Sequence, residues 1–390
     1  MIQFNNTEIA FRYRSDKDLK LSSFLFRSMM SPFITKMGIA ATRFSIKAHL
    51  PIGNLIRQTI FKQFCGGENM NEAANTADVI GKYNVGVILD YGVEGKENEI
   101  EFDKATNEFI KAIVFAGAKR NIPFVSLKVT GFARFGLLEK INGHEKLSED
   151  EKSEWLRVHE RIDRVCNAAY ENKVMILIDA EETWIVEPVN ELTEKMMEKF
   201  NKERAFIFNT YQLYSCGTLE FLKEACQIAV SKGYILGAKL VRGAYMEKER
   251  ARAKEKGYTD PIQPNKESTD RDYDDAVIFC LQNLDKLSLF IGTHNEKSCL
   301  DAVNYMREHA ISAGNASVYF SQLYGMGDNI SFNLAHEGYN VSKYLPYGPV
   351  LDVIPYLMRR AEENTSVTGQ TSRESQLINK EIKRRSGIKH

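Results

Sequence analysis

Val85-Gly-Val-Ile-Leu-Asp-Tyr91 is a short, unbroken apolar run that closes on an acid and an aromatic. Runs of the same kind return at 123–129, 174–179, 205–211, 235–241, 287–294, 317–323 and 340–345. They are rich in β-branched and aromatic residues and short for helices, so each reads as a strand. Longer amphipathic stretches separate them, at 107–120, 148–172, 188–203, 217–232, 270–284, 296–309 and 330–337. Parallel strands covered on both faces read as continuous apolar runs, and eight of them with helices between predict a (β/α)8 barrel. An open doubly wound sheet is the competing architecture. It is disfavoured because no GxGxxG opens a helix after the first run, and Gly325-Met-Gly327 is too short and too late to be that turn.

Outside the alternation the chain changes character. Residues 1–75 read as a helical arm, clearest at 21–30 and 51–64, with a break at Gly66-Gly67 before the barrel of residues 76–364. Phe24, Leu25, Phe26, Met29 and Met30 suit either a membrane-facing surface or packing on the barrel, and packing is preferred. The charged segment 247–274 is a candidate lid or simple surface decoration. Residues 365–390 are polar, end in Lys380-Glu-Ile-Lys-Arg-Arg385, and are expected to lie outside the core.

Composition narrows the class. The chain has 390 residues, 43% hydrophobic and 27% charged, enough for a full core. Lys plus Arg balances Asp plus Glu at 52 each, so no global field favours nucleic acid or an anionic membrane. Six cysteines without CxxC pairing fit a reducing compartment and argue against structural zinc. No run approaches the length that spans a bilayer, and the first residues lack a basic region followed by an apolar core. The expected location is cytoplasmic.

Barrel chemistry sits where strands end. The closing residues here are Asp90 and Tyr91, Lys128, Asp179, Asn209 and Tyr211, Lys239 to Tyr245, Thr293-His294-Asn295, Gln322 and Leu323, and Tyr344. After the last run, Val350, Val353, Ile354, Leu357 and Ala361 recur at helical spacing as one apolar face. Tyr356, Arg359, Arg360 and Glu363 recur on another. Adjacent guanidiniums on a packed helix suit capture of a small carboxylate, while an Arg360–Glu363 pair on a solvated face is the plainer alternative. Three cations, Lys128, Arg359 and Arg360, against one carboxylate, Asp179, suit a substrate carrying both an acid and an amine. A metal site is not expected, since neither a hard-cation oxygen set nor His and Cys partners are present.

The blocks Gly237-Ala-Lys-Leu-Val-Arg-Gly-Ala-Tyr-Met-Glu-Lys-Glu-Arg250, Thr293-His-Asn295, Tyr319-Phe-Ser-Gln-Leu-Tyr-Gly-Met326 and 343–364 resemble the signature blocks of the proline dehydrogenases. Ile178-Asp-Ala-Glu-Glu182 and Phe208-Asn-Thr-Tyr-Gln212 agree. The resemblance runs from about residue 60 to residue 385 and is nearer the monofunctional mitochondrial type than the bifunctional bacterial proteins, whose aldehyde dehydrogenase domain is not expected here.

That resemblance implies a distorted (β/α)8 barrel whose last helix lies over the mouth, with FAD held noncovalently without a Rossmann fold. It implies that Arg359, Arg360 and Lys128 hold the proline carboxylate, that Tyr245, Leu323 and Tyr344 wall the ring, and that Asp179 supports the floor. It assigns Asn209, Lys239, Arg242, Gly243, Thr293, His294, Asn295, Gln322 and Glu363 to FAD. The bulk of Tyr344 favours proline over 4-hydroxyproline, and Glu94 is a candidate gate to Arg359. The implied reaction is oxidation of L-proline to Δ1-pyrroline-5-carboxylate by hydride transfer to flavin N5. The implied electron acceptor is quinone, with peripheral contact at the inner face of a membrane. Two other classes stay open: a Schiff-base aldolase using Lys128 or Lys239, and a noncatalytic proline sensor.

Overall fold

The computed structural model describes residues 2–48, 50–92, 97–366 and 368–387. The chain opens with α1 (Thr7–Phe11), α2 (Asp16–Met29), α3 (Pro32–Lys47), α4 (Gly53–Ile56), a π-helical turn at Arg57–Phe61, α5 (Lys62–Phe64) and α6 (Met70–Gly81). Then come β1 (Val85–Tyr91), α7 (Glu99–Gly117), β2 (Phe124–Lys128), α8 (Phe135–Asn142), α9 (Glu149–Glu171), β3 (Met175–Asp179), α10 (Val186–Phe200) and β4 (Ile207–Gln212). They are followed by α11 (Thr218–Lys232), β5 (Leu236–Val241), α12 (Met246–Lys256), α13 (Lys266–Gln282), β6 (Leu287–Gly292) and α14 (Glu296–Glu308). The chain finishes with β7 (Val318–Leu323), α15 (Asp328–His336), β8 (Val341–Tyr347), α16 (Ile354–Ser366) and α17 (Thr368–Arg385). The eight strands form a closed barrel in chain order, as their count in the sequence predicts. Two compact units divide the chain, Met1–Gly92 with Ser321–His390, and Val93–Phe320.

In the second unit the aromatic rings identify the inner face of the strands. Phe124 meets Phe208 at 6.1 Å and Phe290 at 5.1 Å between ring centroids. β2, β4 and β6 are not neighbours in the sheet, so these rings meet across the interior. Parallel pairing gives in-register residues the same side, and the pairs Leu127↔Ile178, Ile178↔Asn209, Asn209↔Ala238 and Ala238↔Leu289 form the opposite, outward row. Ser126, Lys128, Asp179, Thr210, Gln212 and Lys239 therefore point inward above the aromatic floor.

Local chemistry explains where the helices depart from expectation. α7 starts at Glu99 rather than near 107 because the Asn98 side chain accepts the Glu101 amide at 3.0 Å as an N-cap. α9 opens on a capping box between Ser148 and Glu151. α3 falls within the arm read as helical, between its clearest stretches, and α6 runs past the arm's expected end at residue 75. α6 buries a stripe of Ala73, Ala74, Ala77 and Ile80, too weakly apolar to stand out in the sequence.

In the first unit Leu25, Phe26 and Met29 join a buried cluster with Val353, Ile354, Leu357, Leu377 and Ile378, which removes them from any exposed surface. Phe24 and Met30 of the same run are exposed. The C-terminal segment, expected outside the core, is instead the helix α17, with Leu377, Ile378, Glu374 and Glu381 buried. Its polar composition hid the fact that its acids are satisfied internally: Arg384 and Arg385 each donate to Glu381 at 2.8 Å.

Candidate functional site

The first unit carries the two arginines. The apolar stripe of the last helical segment is buried as its spacing predicts, at Val350, Val353, Ile354, Leu357 and Ala361. Tyr356, placed by spacing on the arginine face, is buried too. Arg359 and Arg360 are half-buried, and the Arg360 guanidinium stands 5.3 Å from the Tyr356 ring centre. A cation over an aromatic face is partly desolvated and held in orientation. The start of this segment sits over the end of β1, since a side chain at Gly92 would meet Val353 Cγ1 at 2.7 Å. Leu323, closing β7, packs against the same apolar cluster. Glu94 lies outside the described residues, as does the side chain of Glu363.

The first unit also holds a buried ionic network that the sequence does not reveal. Lys343 Nζ is 2.8 Å from Asp328 Oδ1, and Arg14 Nε donates to Asp328 Oδ2 at 2.9 Å. Tyr13 Oη donates to the same oxygen at 2.8 Å. Lys343 also donates to the carbonyls of Met326 at 2.5 Å and Leu323 at 3.4 Å, fixing the turn after β7. Burial pulls the Lys343 ammonium below its ordinary value, whereas Asp328 stays low despite burial because Lys343 and Arg14 oppose it. Glu374 accepts from the Gly327 amide, and burial followed by repulsion from Asp328 pushes its carboxyl up to about 7. These groups come from five elements far apart in the chain, and only the oddity of Lys343 inside an apolar strand hinted at them.

Lys343 points at the N-terminus of α15, on the outer side of β8, so period 2 turns the next residue, Tyr344, to the other face. Gln322 is a correction. It is buried, and Ser331 Oγ of α15 donates to its Oε1 at 2.6 Å, which places its side chain on the helix-covered outer side of β7.

The second unit supplies the remaining candidates. Asp179 accepts from Ser126 Oγ at 2.9 Å, is ion-paired with Lys239, and lies 4.0 Å from Lys128 Nζ. One carboxylate thus holds two inward lysines at the ends of β2 and β5. Asn209 is the other correction. It belongs to the outward row and donates to Asn190 Oδ1 of α10 at 2.9 Å. Thr210 and Gln212, its inward neighbours, had not been singled out; Gln212 Nε2 donates to the Glu181 carbonyl at 2.7 Å. The run Ile207-Phe-Asn-Thr-Tyr-Gln212 mixes polar and apolar residues on both parities, so nothing in it reveals which face is inward.

Arg242, half-buried after β5, donates to Asp270 at 2.7 Å, Thr293 Oγ1 at 2.8 Å and Ser298 Oγ at 3.0 Å, with its guanidinium 4.2 Å from the Tyr273 ring centre. This network brings Thr293 beside the N-terminus of α14. The Asn295 side chain caps that helix by accepting the Lys297 amide at 2.9 Å and the Ser298 amide at 3.3 Å, and His294 precedes it half-buried. Gly243 has φ +141°, and a Cβ there would meet the Tyr214 ring at 2.4 Å, so only glycine fits. Tyr245 is half-buried at the start of α12.

The charged segment expected as a lid is tied down. Glu249 of α12 is fully buried and accepts from Thr183 through its amide at 2.7 Å and its hydroxyl at 2.6 Å. Burial raises its carboxyl above the usual range. Arg252 lies 4.4 Å from the Trp184 ring centre and pairs with Glu139.

The family model described as proline dehydrogenase matches residues 73–373. Proline dehydrogenase 1, mitochondrial, of Caenorhabditis elegans is 44% identical over 246 residues, 62% of this chain and 40% of the relative. The human protein of the same name is 41% identical over 256 residues, 65% of this chain and 42% of the relative. A hydroxyproline dehydrogenase of Xenopus laevis is 33% identical over 365 residues, 85% and 78% of the two chains. Among solved structures, proline utilization A from Bdellovibrio bacteriovorus, inactivated by N-propargylglycine, superposes with TM-score 0.73 at 21% identity over 83% of this chain and 36% of its own. The chain spans less than half the length of the worm and human relatives. It belongs to the proline dehydrogenase family.

Proposed function

We propose that the protein oxidises L-proline to Δ1-pyrroline-5-carboxylate, with FAD as its cofactor and a quinone as the onward electron acceptor. The observation that carries this reading is the half-buried Arg359–Arg360 pair on a helix seated over the end of β1, with Leu323 packed against that helix's apolar cluster. An exposed, solvated arginine face would not need such seating.

In the first unit, Arg359 and Arg360 bind the substrate carboxylate through charge-assisted bonds, and Leu323 and Tyr344 wall the ring. In the second, Lys128 adds a third cation, Asp179 fixes its position, and Tyr245 supplies an aromatic wall. The proline nitrogen must be neutral to lose a hydride from the adjacent carbon, and nearby guanidiniums favour that form by disfavouring a second positive charge. Apolar walls exclude water and hold the reacting carbon in one orientation.

The residues present fit an anionic dinucleotide. The ends of β5 and β6 gather Lys239, Arg242, Thr293 and the amino end of α14, a set of cations and donors of the kind that holds a pyrophosphate. Gly243 adds a glycine-only approach of the backbone. Lys239, Arg242, Gly243, Thr293, His294, Asn295 and Glu363 would hold FAD, with Gln212 taking the inward place first given to Asn209. When bound, FAD supplies the hydride acceptor.

The test is the absorbance spectrum of purified protein before and after proline is added without oxygen. A flavin spectrum that bleaches supports the reading. A colourless protein that forms a borohydride-trappable adduct replaces it with the aldolase, and proline binding without bleaching replaces it with the sensor.

A further inference from the structure

A cavity of about 500 Å³ opens in the first unit between the N-terminal helices and the turn after β7, lined by Arg14, Arg57, Phe61, Val79, Ile80 and Tyr324 among others. Its size falls in the range of small-molecule sites. Three observations separate it from an ordinary crevice. Its wall includes the π-helical turn Arg57–Phe61, and Arg57, Gln58 and Phe61 of that turn all line it. Such a turn departs from regular helix geometry and recurs at functional sites. Secondly, Arg14, with 8% of its side chain exposed, is fixed from one side. Its Nε donates to Asp328 at 2.9 Å, and its Nη1 to Ser22 Oγ at 2.8 Å and Gln63 Oε1 at 3.2 Å. Among the described residues nothing accepts from Nη2, and the Tyr324 hydroxyl likewise has no hydrogen-bond partner. Burial pushes that hydroxyl up to about 12 while Arg14 draws it down, so it is a neutral donor near the guanidinium. Thirdly, Asp328 answers both Arg14 and Lys343, and burial lifts Glu374, the remaining acid of the network, to about 7. Near neutral pH this interior carries more cation than anion, a costly state unless a further anion completes it.

We infer that this cavity is a binding site for a small monocarboxylate with an apolar body. Arg14 Nη2 and the Tyr324 hydroxyl donate to its oxygens, and Phe61, Val79 and Ile80 receive the rest of the molecule. The donor count chooses the anion. Two donors suit a carboxylate, whereas a phosphate dianion with three oxygens would call on the outer cations as well. Those cations are engaged, Arg57 with Glu68 at 2.7 Å and Lys62 with Asp18 at 2.6 Å. The lining acids Asp18 and Glu72 are taken up by the same two cations, so the cavity offers little to an amine. The inference is independent of the proposed catalysis, because none of the lining residues was given a role there.

The experiment is isothermal titration calorimetry of the full-length protein with benzoate, with benzyl alcohol and inorganic phosphate as comparisons. It is run on R359M/R360M, which lacks the proposed substrate clamp, so that a carboxylate seated there is not counted. Benzoate is expected to bind saturably, and benzyl alcohol and phosphate about tenfold more weakly or less. In the same background Y324F is expected to weaken benzoate about tenfold by removing one donor, and V79W to abolish binding by filling the cavity. Absence of benzoate binding to R359M/R360M overturns the inference, whether or not the parent protein binds it. Unchanged affinity in both Y324F and V79W overturns it too, as does benzyl alcohol binding as tightly as benzoate. Phosphate binding as tightly overturns the carboxylate in favour of an inorganic anion. Arg14→Met is avoided because it would strip Asp328 of a buried partner. Should V79W misfold by circular dichroism, Y324F decides alone, since it removes a hydroxyl that no described residue holds.

Discussion

Lys343 Nζ and Asp328 Oδ1 lie 2.8 Å apart with at most 2% of either side chain exposed. A buried pair of this kind is weak as a source of net stability, but breaking it leaves an uncompensated charge. Lys343→Met should therefore lower unfolding free energy by about 3–5 kcal/mol in urea titrations. Combining it with Asp328→Leu should cost less than the two single changes added together.

Glu374 gives the same network a pH dependence. Its carboxyl rises from the ordinary 4.5 to about 7 through burial and Asp328, with Lys343 and Arg14 opposing. Across that interval the folded chain keeps a proton that the unfolded chain has released, so this group's contribution to stability falls as pH rises from about 4.5 to about 7. Urea midpoints should decline over that window in the parent protein, and Glu374→Gln should remove most of the decline.

Replacing Arg359 or Arg360 with Met removes charge-assisted bonds to the substrate. Each variant should raise the KM for proline by about 10- to 100-fold with a smaller effect on kcat, measured with a soluble dye as acceptor. An unchanged KM in both would remove the arginines from the site.

The two parities of β4 make opposite predictions. Gln212→Leu should reduce retained flavin while leaving the fold intact, because its amide faces inward. Asn209→Leu should retain flavin but lower stability by about 1–2 kcal/mol, since it leaves Asn190 unpaired. Flavin content after gel filtration, set beside urea midpoints, separates the two.

The barrel was legible because eight apolar runs each carry their own local signal. The helix that carries Arg359 and Arg360, and its buried apolar stripe, were legible because helical spacing fixes a face within a few turns. Inward and outward along a strand were not. Asn209 and Gln322 both sit among residues of mixed polarity, and only inter-strand register and the cross-barrel contacts of Phe124 settle which way β4 turns. Helix α3 lay inside the arm read as helical, but which of its faces is buried was not legible, because Phe33, Met37 and Phe44 are exposed while Thr35 is buried. The network around Asp328 joins residues 14, 328, 343 and 374, a long-range arrangement that no window of sequence contains.

The in-register rows carry an evolutionary corollary. Because every inward side chain of β2 to β6 is tied by pairing to the same parity in its neighbours, inserting or deleting one residue inside β4 would swing Thr210 and Gln212 outward and thrust Asn209 and Tyr211 into the lumen. Such a frameshift of the staves spoils every contact at once. Diversification of this enclosure must therefore proceed by swapping residues in place, leaving changes of length to the connecting segments.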